Sequence, residues 1–120
     1  MLALDPKQTF PCVLNADRAT ERIRQPRFFL RALAGDEARE YRKFNDDDAL
    51  KGQDYPTVRA GLLKQLAVVL VGWINVRDGN GLPLEYKPEL LNHVLTQAEV
   101  WELYYAGLLY CRVDEADVKN

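Results

Sequence analysis

Hydrophobic and polar positions change their period several times along the chain, and each change marks an element. Residues 9–14 (Thr-Phe-Pro-Cys-Val-Leu) read as a short strand. Pro11 has no amide proton, which restricts that strand to a sheet edge or to its own first residues. Residues 15–25 are polar and predict a loop. Residues 27–33 alternate, with Phe28, Leu30 and Ala32 on one face and Arg27, Phe29, Arg31 and Leu33 on the other. The two strands predict a hairpin with a long connection.

Beyond Gly35 the period lengthens. Ala38, Tyr41 and Phe44 recur at threes, a narrow stripe on a short helix. Asp36 and Glu37 lie at its start, where the helix dipole favours negative charge. Residues 45–54 predict a loop, and Tyr55-Pro56-Thr57 opens the principal helix, with proline tolerated in the first turn. Val58, Leu62, Leu66, Val69 and Trp73 follow at steps of four, four, three and four, with Leu63, Leu70 and Ile74 beside them. That spacing predicts a central helix over 56–76. Asp78-Gly79-Asn80-Gly81 is strong turn chemistry, 82–86 a brief extended piece, and Pro88 opens a short helix to 94. Thr96-Gln97-Ala98-Glu99 matches a capping box. The helix it starts runs to 111, with Val100, Leu103, Tyr104, Gly107, Leu108 and Cys111 on one side. The expected fold is α+β: an N-terminal β-hairpin packed on three to four helices, one domain over 1–113, with a charged flexible tail at 114–120.

Composition narrows the chemistry. With 48% hydrophobic and 28% charged residues in 120, the chain is of ordinary globular type. Two cysteines are too few for a disulfide-built miniature. Cys12 and Cys111 belong to no C-x-x-C pair, and His93 alone could join them, so no zinc site is expected. They are expected as reduced, buried thiols. The start of the chain lacks the basic and apolar regions of a secretory signal. The apolar run at 66–74 is far short of the ~20 residues of a membrane span, so it is expected to be core helix in a soluble protein.

No catalytic constellation emerges. His93 is the only histidine and has no nucleophile motif around it. Asp46-Asp47-Asp48 lacks a second acidic cluster and is expected as a solvated loop. The Asp78–Gly81 turn fails as a calcium loop, since the first and twelfth positions would be Val76 and Lys87. Neither dinucleotide nor P-loop glycine patterns occur. No catalytic residue, metal site or cofactor is therefore expected.

Charge and aromatics point to contact surfaces. The net charge is -2, yet residues 1–60 hold 11 Lys/Arg against 10 Asp/Glu and residues 61–120 hold 5 against 8. Arg18, Arg22, Arg24, Arg27 and Arg31 crowd one stretch beside Phe28 and Phe29, a mixture able to meet an acidic partner or a phosphate backbone. Trp73 and Tyr104 are assigned to the core. Trp101 and Tyr105 lie four apart, off the main stripe, and are candidates for a partner or inter-subunit surface.

The opening Leu-Ala-Leu-Asp-Pro-Lys-Gln-Thr-Phe, Asn15-Ala16-Asp17-Arg18 and Arg27-Phe28-Phe29-Leu30-Arg31-Ala32-Leu33 form a series that continues downstream. It resumes with Gly72-Trp73-Ile74-Asn75-Val76, Asp78-Gly79-Asn80-Gly81-Leu82-Pro83-Leu84 and Leu95-Thr96. In order and content, over most of residues 1–112, this series resembles tail assembly chaperones of tailed bacteriophages and prophages. The resemblance implies a non-enzymatic factor of the bacterial host cytoplasm that self-associates and binds tape-measure and tail-tube proteins. Two other readings are a head–tail or tail-completion adaptor of the virion, and a nucleic-acid-binding regulator using the stretch from Arg18 to Arg31.

Overall fold

A computed structural model describes residues 8–44 and 51–111. The expectations for 45–50 and for the tail at 114–120 lie outside the described residues. The fold is α+β: among the described residues, a three-stranded antiparallel sheet and four α-helices. Strands β1 (Thr9–Cys12), β2 (Arg27–Arg31) and β3 (Leu70–Ile74) lie in the order β1-β2-β3. Helices α1 (Gly35–Lys43), α2 (Tyr55–Val69), α3 (Leu91–Val94) and α4 (Gln97–Leu108) follow the chain order.

The third strand corrects the expected helix over 56–76. α2 starts as predicted, with the Asp54 side chain accepting from the Thr57 amide at 3.0 Å and Pro56 in the first turn. It stops at Val69, and Leu70 turns extended while its amide still donates to the Leu66 carbonyl. The residues thereafter are β-branched, aromatic or glycine, the composition of a strand. Phe28 pairs with Trp73, Phe29 with Gly72 and Leu30 with Leu70, which leaves Val71 as the extra residue of a β-bulge. The bulge sets the buried Leu70 and Trp73 three residues apart, and that interval imitates a helix in the sequence. Smaller differences concern where elements end: β1 stops at Cys12 rather than 14, and α4 at Leu108 rather than 111. β2 ends at Arg31 rather than 33, and Leu33, expected on the arginine face, is fully buried.

The core lies between the inner sheet face and the helices. Phe28, Leu30, Leu70 and Trp73 from the sheet meet Leu62, Leu66 and Val69 of α2 and Val100, Leu103 and Tyr104 of α4. The capping box of α4 forms as the sequence predicts, Thr96 Oγ accepting from the Glu99 amide and Glu99 Oε1 from the Thr96 amide. Arg59 fastens α2 to the α3–α4 connection by donating to Asn92 Oδ1, the Asn92 and Leu95 carbonyls and Gln97 Oε1, all within 3.1 Å. Tyr41 and Tyr104 stack at 4.6 Å and each hydroxyl donates to the other's carbonyl, joining α1 to α4. Burial drives the Tyr41 phenol far above its ordinary range. Cys12 and Cys111 are free thiols, half-buried rather than buried, and burial raises both. Among the described residues no helix is long and apolar enough to cross a membrane.

Candidate functional site

Helices cover the inner sheet face, whereas among the described residues the outer face keeps apolar side chains exposed. Strand alternation puts Arg27, Phe29 and Arg31 of β2 outward, as the sequence pattern predicts, against buried Phe28 and Leu30. Phe29 is half-buried in the middle of this face, opposite Pro11 on one side and Gly72 on the other. Ile74 faces Arg27 across β2 and β3. Val71 is 44% exposed and Ile74 41%. A Cβ added to Gly72 would meet nothing within 4 Å, so the space above Phe29's cross-strand neighbour is open. Among the described residues no helix packs over the centre of this face.

Beside Phe29 lies a shallow hollow of about 620 Å³ lined by Pro11 and Val13 and by Arg18, Arg22 and Arg27. Among the described residues no carboxylate lines it. Arg18 and Arg22 are exposed and Arg27 half-buried. Among the described residues Arg18, Arg22, Arg24 and Arg27 form no ion pair. Arg27 donates to neutral acceptors, Gln25 Oε1 at 3.4 Å and the Arg22 carbonyl at 3.0 Å, so it braces the connection from β1 to β2 and keeps its charge uncompensated. That connection begins with a 3₁₀ turn, Asn15–Asp17. Gln25 Nε2 holds the Asp17 carbonyl, and Asn75 Nδ2 donates to the carbonyls of Ile23 and Gln25 at 3.1 and 2.9 Å. Asn75 adopts φ 61, the left-handed region that asparagine tolerates better than most residues. Sequence reading passed over Asn75, whose signal was an asparagine directly after a β-rich run.

The five arginines of the sequence cluster therefore divide. Arg18, Arg22 and Arg27 share the hollow. Arg24 lines a separate cleft of about 480 Å³, whose apolar lining includes Leu14, Phe28, Val76 and Leu95. Asp17 and Glu99 also line it. Burial, then the charges of Glu99 and Glu102, hold the Asp17 carboxyl above its ordinary range. Arg31 is committed to structure. Its Nε donates to the Val68 carbonyl in the last turn of α2 at 2.8 Å, and its guanidinium grips Glu37 of α1 with two bonds. The Arg31 hydrogen bond holds the Glu37 carboxyl below its ordinary range.

Trp101 and Tyr105 stack on each other at 5.6 Å, Trp101 half-buried and Tyr105 49% exposed. Both rings also meet Tyr104 edge-on, and neither lines the arginine hollow. They form a second, smaller aromatic surface on α4. Phe28, the other ring near the arginine stretch, is core. His93 is exposed on α3. Among the described residues no group of three His, Cys, Asp or Glu is placed to hold a metal ion. Comparison with models of known protein families, with curated proteins and with solved structures finds no match.

Proposed function

We propose that this protein acts by contact, as a tail assembly chaperone or related morphogenesis factor of a bacteriophage or prophage. It holds tape-measure or tail-tube protein in a bindable state until the tail assembles. The observation that carries the contact reading is the apolar outer sheet face, open at Gly72 and centred on Phe29, with unpaired arginines beside it. An apolar face of this kind on a small domain is a binding surface, because leaving it in water costs free energy that a partner recovers. The tail assignment is supported by the resemblance of the segments named above. On this reading the protein works in the bacterial cytoplasm and makes or breaks no covalent bond.

The test is co-expression with the products of the neighbouring genes. The expected result is that the tape-measure protein stays in the soluble fraction only with this chain, and that the two elute together. Phe29→Ala should return it to the insoluble fraction while the chain itself stays folded. Equal insolubility with and without the chain would overturn the proposal. Retention of the protein in purified virions would favour the adaptor reading instead.

A further inference from the structure

We infer that the outer sheet face takes an acidic amphipathic helix of a protein partner, its apolar stripe on Phe29, Val71 and Ile74 and its carboxylates on Arg18, Arg22 and Arg27. This rests on the reading of that face as a contact surface and adds the shape and charge of what binds there.

Shape comes from the layers. A sheet covered by helices on one side is completed by a helix on the other, since both apolar faces are then buried. Strand addition at the β1 edge is disfavoured, because Pro11 supplies no donor to a new ladder. Charge comes from the arginines. Arg18, Arg22 and Arg27 stand around one hollow that no carboxylate of the described residues lines, and such potentials select partners of opposite sign. A second copy of this chain docked through the same face would bring arginine against arginine about the twofold axis, which opposes that arrangement. A single-stranded nucleic acid needs successive rings on which to stack its bases, and Phe29 is the sole aromatic ring lining the hollow. The aliphatic neighbours Val71 and Ile74 suit leucine-type side chains better than bases.

The experiment measures fluorescence anisotropy of labelled probes with the full chain at low and moderate salt. The probes are a synthetic amphipathic peptide with leucine on one face and glutamate on the other, its counterpart with lysine for glutamate, and oligothymidylate. The glutamate peptide should bind, the lysine peptide should not, and oligothymidylate should fail to displace the former. Arg18→Glu with Arg22→Glu should weaken the glutamate peptide by about ten-fold or more. Both side chains are exposed and form no ion pair, so the fold is retained. At the open position 72, Gly72→Glu should weaken binding much more than Gly72→Lys, two changes of similar bulk and opposite sign. Equal effects of the two, binding of the lysine peptide, or displacement by oligothymidylate would each overturn the inference. If the glutamate peptide fails but Phe29→Ala still releases the co-expressed tail protein, the acidic-helix assignment falls and the contact function stands.

Discussion

Tyr41, Tyr104 and Gly107 show how closely single residues are fitted. The two phenols exchange hydrogen bonds with each other's backbone, so each buried hydroxyl is satisfied where an unpaired one would cost about 1–3 kcal/mol. Gly107 admits this pair, because a Cβ there would run into the Tyr41 hydroxyl. Gly107→Ala is expected to lower stability by about 2 kcal/mol, the usual cost of forcing a methyl into a filled core. Chemical denaturation measures it, and an unchanged midpoint would show that α1 and α4 separate freely. The sequence placed Tyr104 and Gly107 on the buried side of the last helix and Tyr41 on the stripe of the first. It could not show that they meet, since 63 residues separate the two tyrosines. Arg31 teaches the converse. In sequence it matches Arg27, and only the arrival of Val68 and Glu37 beside it converts it from surface charge to structural clasp.

Legibility at the scale of elements depended on whether a local signal was unambiguous. The capping box, the Tyr55-Pro56-Thr57 helix start and the alternation in β2 are short-range chemistry, and the folded chain keeps them. β3 escaped detection because no breaker precedes it and its bulge reproduces a three-residue interval between buried positions. An apolar run of that length suits helix or strand equally by period alone, and pairing with β2 decides it. Asn75, just beyond β3, is where this strand governs the arginine-bearing connection. Asn75→Gly keeps a residue at ease at positive φ but removes the amide tether, whereas Asn75→Ala loses both. Both should speed exchange of the Arg24 amide, which donates to the Glu21 carbonyl. Asn75→Ala should also cost about 1 kcal/mol more stability than Asn75→Gly, from the left-handed backbone. Equal stabilities, or an Arg24 amide exchanging at the native rate, would remove Asn75 from this role.

Across the whole molecule the sheet is the dividing layer. Its inner side carries the core, and its outer side combines exposed apolar residues with Arg27 and the neighbouring Arg18 and Arg22, which form no ion pair among the described residues. The sequence revealed both ingredients, the arginine cluster and the outward Phe29, but not the sheet surface that joins them, since that needs β3. The aromatic pair Trp101 and Tyr105 on α4 remains a separate surface. Placing a photoreactive benzoylphenylalanine at position 72 or at position 105, in the chain co-expressed with the products of the neighbouring genes, compares the two surfaces directly. Under the proposed function, adducts to a helical segment of a tape-measure protein from position 72, and none from position 105, are the predicted result. Adducts from position 105 alone would contradict the account.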